Sequence, residues 1–239
     1  MPPIVSVVGK SKSGKTTLIE KLIKELKSRG YQVATIKHIP QGVSLDEPGR
    51  DSWRHLQAGS EAISLSSPDK IVLIKPVVQD PTIDEIACFL GEAYDIILTE
   101  GFKQGNAPKI EVHRKETGPP LKGIKKLIAI VTDEPLETKA KQFSPDDIEG
   151  LADLLEKGFI QPQTERISLY INNAPIVLTV FPKQIISSVL LAAVSSLKGV
   201  GEIKSLQIFL RKSKQDLRKE RHGYLDSKND GDDKGNQYG

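Results

Sequence analysis

The chain has 239 residues, a net charge of +3 and 38% hydrophobic residues of which few are aromatic, which allows one substantial α/β domain and a small second one around an aliphatic core and gives no charge signal for nucleic acid. Cys88 is the single cysteine, which excludes an intramolecular disulfide and a cysteine-rich metal site. No leader is visible before the first strand at residue 4 and no apolar run reaches the length of a membrane span, so the expectation is a cytoplasmic protein without nucleic-acid or membrane partners.

In chain order, Ile4-Val5-Ser6-Val7-Val8 is a β-branched run of the kind buried in parallel sheets. It leads into Gly9-Lys10-Ser11-Lys12-Ser13-Gly14-Lys15-Thr16, which reads G-x-x-x-x-G-K-T, the phosphate-binding P-loop pattern. From Thr17 the spacing is helical, with Leu18, Ile19, Leu22, Ile23 and Leu26 on the apolar side. Strand, glycine loop and helix N-terminus together make an anion site. The glycines let successive N–H groups turn inward, and the helix adds the positive end of its dipole. In this pattern Lys15 reaches the outer phosphates and the Thr16 hydroxyl ligates Mg²⁺.

Arg29-Gly30 closes that helix, and residues 31–37 form a second strand, parallel to the first as a βαβ unit requires. Residues 38–50 carry Pro40, Gly42, Pro48 and Gly49 and read as a loop at the sheet end where α/β folds place ligands. A short helix over 51–58 follows. Residues 61–66 and 70–74 read as two strands joined at Ser67-Pro68-Asp69. Thr82 caps a helix whose buried face is Ile83, Ile86, Ala87 and Leu90. Further strands are expected over 95–101, 109–113 and 127–133. Ser144-Pro145-Asp146-Asp147 opens a helix, with the cap ahead of a first-turn proline, that runs to about residue 157.

A composition shift at Gln161-Pro162-Gln163-Thr164 reads as a linker. It divides a P-loop domain (1–160) from a small α+β unit (165–210). That unit is read as a hairpin over 167–170 and 176–180, a helix over 182–197 and a strand over 203–210. Residues 211–239 are charged and Gly/Asn-rich, which predicts a disordered tail. The fold class is therefore α/β, a P-loop NTPase with a mostly parallel sheet flanked by helices.

A P-loop needs an acid at the end of a neighbouring strand to hold the water shell of Mg²⁺. Glu100 is the candidate, since Asp95 starts the same strand at the opposite edge; the alternative for Glu100 is a polar strand terminus. His38 and His55 stand alone in the sequence and read as loop or surface residues.

Four blocks in this order resemble the MobB family of molybdopterin-guanine dinucleotide biosynthesis adaptors. They are the P-loop with Thr16-Thr17-Leu18, then Thr35-Ile36-Lys37-His38, then Asp46-Glu47-Pro48-Gly49-Arg50-Asp51-Ser52 with Arg54 and Ala58-Gly59, and Glu100-Gly101-Phe102-Lys103 with Pro108-Lys109-Ile110. The resemblance covers residues 3–158 and leaves 165–210 outside it. It implies GTP and Mg²⁺ as ligands, a homodimer, weak GTPase activity, and assistance to a MobA-type guanylyltransferase that joins GMP to molybdopterin. Molybdopterin or molybdopterin-guanine dinucleotide is a further implied ligand, and a molybdoenzyme or its chaperone a further implied partner.

The resemblance also assigns residues. Gly9, Lys10, Ser11, Lys12, Ser13, Gly14, Lys15, Thr16 and Thr17 become the phosphate site. Asp46, Gly49, Arg50 and Asp51 become a further cofactor-binding block, in which Arg50 and the helix-start N–H groups suit a second phosphate or the pterin phosphate, although Asp46 and Asp51 equally read as local caps. Lys15 and Glu100 carry catalysis, and Thr16 and Glu100 the metal. Lys10 coincides with the extra lysine of P-loops that reach across a dimer, and also reads as a solvated loop lysine. The familiar N-K-x-D guanine box is absent. Asp133 is offered in its place as the acceptor for the guanine ring, with an acidic turn before Pro135 as the alternative. Two other functions stay open: a P-loop kinase or phosphotransferase, and a non-catalytic, nucleotide-switched cofactor-delivery protein.

Overall fold

The structure is a computed structural model that describes residues 1–42, 46–162, 167–171, 174–176, 178–203, 205–208 and 210. The chain opens with β1 (Ile4–Gly9), α1 (Lys15–Ser28) and β2 (Val33–Lys37). After α2 (Asp51–Gln57), β3 (Ile63–Ser66) and β4 (Ile71–Ile74) pair antiparallel in a sheet of their own. α3 (Ile83–Leu90) precedes β5 (Ile96–Glu100), β6 (Lys109–Val112), β7 (Leu127–Val131) and β8 (Lys141–Phe143). α4 (Ile148–Leu155) runs on into a π-helical turn at Glu156–Ile160. A hairpin of β9 (Leu169–Ile171) and β10 (Ala174–Ile176) and the helix α5 (Val180–Ser195) complete the described elements.

The central sheet has six strands in the order β2-β5-β1-β6-β7-β8, and every pairing in it is parallel. Parallel strands need covering on both faces, and the sequence supplies two apolar helix stripes on one face and one on the other. Leu18, Leu22 and Leu26 of α1 and Leu151 and Leu155 of α4 bury against Val5, Val7, Ile110 and Val112 on one face. Ile83 and Ala87 of α3 bury against Ala34, Ile36 and Ile97 on the other. Each fully buried aliphatic side chain contributes about 1.5–3 kcal/mol. Thr82 caps α3 in a reciprocal box with Glu85, as its spacing predicts.

The strand order positions the site. β5 lies between β2 and β1, in register with Val7 opposite Glu100, so the acid at its end arrives beside the P-loop. β6 flanks β1 on the other side, with Gly9 opposite Val112, and delivers the segment after Val112 to the other edge of the loop.

Several boundaries differ from expectation. α1 starts at Lys15, two residues before the apolar period shows it, because Gly14 takes a left-handed φ of 94° and serves as its N-cap. α4 is capped by Asp147, whose carboxylate accepts from the Gly150 amide, and not by Ser144. β8 is a three-residue edge strand whose Lys-Gln-Phe carries no apolar run. The last expected strand, 203–210, is not found among the described residues there. The second strand of the hairpin lies earlier than expected, at Ala174–Ile176 in place of 176–180, and Val180 already belongs to α5.

The chain divides into two compact units between Thr179 and Val180, later than the expected linker, of which residues 163 and 164 lie outside the described residues. The β9–β10 hairpin thus belongs to the first unit. Tyr170 donates to Glu92 at 3.4 Å, the N-terminal amine pairs with Glu92 at 3.1 Å, and the same amine meets Ser168. In the second unit, α5 carries one charge, Lys183, and exposes Val180, Phe181, Ile185 and Val189. The expected tail, 211–239, lies outside the described residues.

Candidate functional site

The loop between β1 and α1 is shaped by its glycines and closed by its own hydrogen bonds. A Cβ on Gly9 would stand 2.5 Å from the Val112 carbonyl oxygen and 2.6 Å from Ser13 Oγ, so only glycine lets the loop leave β1 this tightly. Ser13 Oγ is buried and has no partner within the described residues. α1 has no side-chain cap and no acidic residue in its first turn, which leaves its N-terminal N–H groups and dipole available to an anion. Ser11, Lys12, Thr16 and Thr17 are exposed along this loop and turn. Lys15 Nζ donates to the Lys10 carbonyl at 2.7 Å. Burial holds the Lys15 ammonium below its ordinary range; Glu100 opposes this, and Lys103 and Lys37 add to it.

Glu100 meets Thr16 at this loop. The Thr16 hydroxyl lies 3.2 and 3.1 Å from the two carboxylate oxygens, and Lys37 Nζ lies 3.5 Å from Oε2. The pair is two hard oxygen donors at the mouth of an anion loop, a donor set that fits Mg²⁺. Asp95 accepts from the Gln32 amide at 2.8 Å, at the other end of β5.

Lys10 does not stand free in solvent. It is half-buried, and its Nζ donates at 2.9 Å to the carbonyl of Thr117, in the segment that follows β6. The same segment brings Arg114, whose guanidinium atoms lie 3.7 and 3.9 Å from where a Cβ on Gly14 would be. No sequence pattern marked Arg114. Lys37 and Lys103 also join the site around Lys15, although both lie inside motif blocks already recognised.

Beyond Arg114 an open cleft of about 690 Å³ is lined by Lys21 of α1, Asp133 after β7, and Ser144, Pro145 and Asp146 after β8. Asp133 is one of its lining residues. Its Oδ1 accepts from the Lys115 amide at 3.0 Å, and its Oδ2 lies 3.8 Å from Arg114. The Lys115 amide is the main cause that holds its carboxyl below the usual range, with Arg114 and His113 adding to it. Asp146 accepts from Lys21 at 3.1 Å.

Bonds within the 46–52 block hold it together. Asp46 Oδ1 accepts from the Glu47 amide at 3.0 Å and from Ser52 Oγ at 2.9 Å, and Arg50 clamps Glu47 Oε2 at 2.9 and 2.7 Å. Asp51 is the first residue of α2, not its cap; that position is Arg50, which makes no side-chain cap bond. Gly49 precedes it with φ 93°. His38 pairs with Asp80 at 3.0 Å, and its ring lies 4.8 Å from that of Phe102, tilted by 33°. Among the described residues no group of three or more His, Cys, Asp or Glu is arranged to hold a metal.

A family model for Molybdopterin guanine dinucleotide synthesis protein B matches residues 4–133. The chain belongs to the MobB family. One MobB relative, the molybdopterin-guanine dinucleotide biosynthesis adapter protein of Haemophilus influenzae, is 37% identical over 156 residues, covering 64% of this chain and 88% of its own. The Escherichia coli adapter protein is 31% identical over 163 residues, or 65% of this chain and 92% of its own. A crystal structure of molybdopterin-guanine biosynthesis protein B matches with a TM-score of 0.50 at 29% identity, over 64% of this chain and 98% of its own. The crystal structure of Bacillus subtilis MobB matches with a TM-score of 0.51 at 29% identity, over 66% and 98%. The fold is the parallel, helix-flanked sheet of these MobB structures. The segment that the MobB family model matches contains the P-loop, Glu100, Arg114 and Asp133, and ends before β8 and α4.

Proposed function

We propose that this protein is a GTP-binding adaptor with slow GTPase activity that assists the joining of GMP to molybdopterin. The observation that carries the reading is the meeting of Thr16 and Glu100 at the mouth of a P-loop, in a chain whose MobB relatives are named molybdopterin-guanine dinucleotide biosynthesis adapters. Lys15, with the first-turn N–H groups of α1, binds the outer phosphates of GTP. Thr16 and Glu100 hold Mg²⁺, which neutralises charge on the phosphate oxygens and fixes their orientation. Asp133, which lines the cleft beside the loop, accepts from the guanine ring. Arg50 and the backbone around Gly49 offer a second anion site, suited to the pterin phosphate.

We further infer a cytoplasmic homodimer that works beside a MobA-type guanylyltransferase. The β3–β4 hairpin supports self-association, because as a two-stranded sheet it leaves edges open and exposes Leu65, Ile71 and Leu73. Calorimetric titration tests the reading. GTP should bind more tightly than ATP, Mg²⁺ should strengthen it, and molybdopterin-guanine dinucleotide should compete. A folded protein that binds ATP as tightly as GTP, or binds neither, overturns it. Transfer of the terminal phosphate to a small acceptor in place of slow hydrolysis would turn it into the kinase reading.

A further inference from the structure

We propose that Arg114 is a nucleotide-contacting residue, which grips the innermost phosphate of the nucleotide from the side opposite Glu100. The inference rests on the nucleotide-site reading above and adds a residue to it. The first observation is position. The Arg114 guanidinium stands 3.7 and 3.9 Å from the Cβ direction of Gly14, the glycine whose carbonyl accepts the first α1 backbone bond, from Leu18 at 2.9 Å. The same side chain lines the cleft with Lys21 and Asp133. A nucleotide with its outer phosphates on Lys15 and its remainder in that cleft must pass Arg114 where phosphate meets ribose.

The second observation is unused hydrogen-bonding capacity. A guanidinium carries five N–H donors in a planar fork suited to phosphate oxygens. Among the described residues those of Arg114 make no hydrogen bond; the nearby anion is Asp133 Oδ2, at 3.8 Å. The residue also occupies the cap position of the short 3₁₀ turn Lys115–Thr117 without a side-chain cap bond. Its side chain is 27% exposed, open on the cleft side.

The third observation is that the backbone carrying Arg114 is held on three sides. Thr117 donates its amide and hydroxyl to the Arg114 carbonyl at 2.9 and 2.8 Å. Lys10 of the P-loop holds the Thr117 carbonyl, and Asp133 holds the Lys115 amide. Further on, buried Glu111 accepts from the Leu121 amide at 2.7 Å. With its backbone held this way, only the Arg114 side chain has to order when an anion binds.

Calorimetry with GTP and GDP on Arg114→Ala, Arg114→Lys and Lys15→Ala tests the assignment. Arg114→Ala should lose about tenfold or more in affinity, by the same factor for both nucleotides, since both have the innermost phosphate. Its binding should depend less steeply on salt, because one charge has left the site. Arg114→Lys should fall between parent and Ala. Lys15→Ala should instead lose more for GTP than for GDP. Parental affinity in a folded Arg114→Ala protein, while Lys15→Ala is impaired, overturns the role of Arg114 alone. A loss with unchanged salt dependence overturns it as well, by reducing Arg114 to a packing residue. If the parent binds neither nucleotide, the nucleotide-site reading fails and this proposal with it.

Discussion

Lys15 and Glu100 sit in the same small volume and share Lys37 as a neighbour, but they make different bonds, and those bonds set what each substitution should do. Lys15 is partly desolvated and shares its surroundings with Lys37 and Lys103, so an arriving anion offsets both the desolvation and the repulsion. Replacing it with Ala should leave the fold intact and abolish tight GTP binding, since charge-assisted contacts are worth about 1.5–3 kcal/mol each. Unchanged GTP affinity in the folded variant would remove the basis of the P-loop reading. Glu100→Gln keeps an oxygen near Thr16 but loses the charge. Mg²⁺-dependent hydrolysis should fall well below parental, while Mg²⁺-free nucleotide binding changes little; equal GTPase rates would move the metal role to Asp46 or Asp51. The placement of both residues at the loop was legible in the sequence, for different reasons. The P-loop is a local pattern whose geometry follows from eight consecutive positions, and Glu100 ends an apolar run. Arg114 was not legible. It reaches Gly14 only because the parallel crossover sets β6 beside β1, and one arginine after an apolar strand carries no pattern of its own. The bond of Lys10 was not legible for the same reason, since its acceptor, the Thr117 carbonyl, is far away in sequence.

At the scale of elements, the pairing of α1 with α4 holds the loop to the sheet. Leu22 and Leu155 are fully buried there, and Leu22→Ala should cost about 2–5 kcal/mol, measured by denaturant unfolding. At the C-terminal end of α1, Arg29 bonds Glu25 at 2.8 Å and both Asp153 and Glu156 at 2.7 Å. Hydrogen bonds from Arg29 and Tyr31 hold the Glu156 carboxyl below its ordinary 4.5, and those from Lys157 and Arg29 hold Asp153 below 3.8. Both folded values lie beneath the unfolded ones. Their contribution is therefore complete at neutral pH and is lost as acid titrates the folded carboxylates, below pH 4.5 and 3.8. Arg29→Ala should lower the melting temperature at pH 7, and the gap to the parent should close toward pH 3; a gap constant with pH would mean that Arg29 acts by packing. The sequence shows α1 and α4 plainly, because apolar period survives any local ambiguity. It points to Ser144 as the α4 cap, ahead of Pro145, whereas Asp147, an equally competent cap, takes that place. Among the described strands β8 has a partner on one side only and needs no apolar run, so composition leaves no trace of it. Conversely, the strand expected over 203–210 is not found among the described residues there, since an apolar run by itself does not supply a strand's partner.

For the whole molecule, the question is how much of the chain the nucleotide site requires. Every residue placed at the loop, the cleft or the 46–52 block lies before Gln161, yet the first compact unit runs to Thr179. The reason is visible at the π-turn and the hairpin. Ile160 is buried in the same core as Leu22, so a cut before it would open that core. The hairpin then returns to the N-terminus, where Glu92 takes both Tyr170 and the N-terminal amine. A chain ending at Thr179 should fold, melt close to the parental temperature and bind GTP with nearly parental affinity. A chain ending at Pro162 keeps Ile160 and should still bind GTP, but melt lower, because Glu92 loses Tyr170. The first truncation removes α5 with its exposed Val180, Phe181, Ile185 and Val189, so a change of oligomeric state or partner contact there would assign those functions to the second unit. A folded 1–179 chain that has lost GTP affinity would show that the nucleotide site depends on residues after Thr179, and the division between a binding domain and an accessory unit would fall.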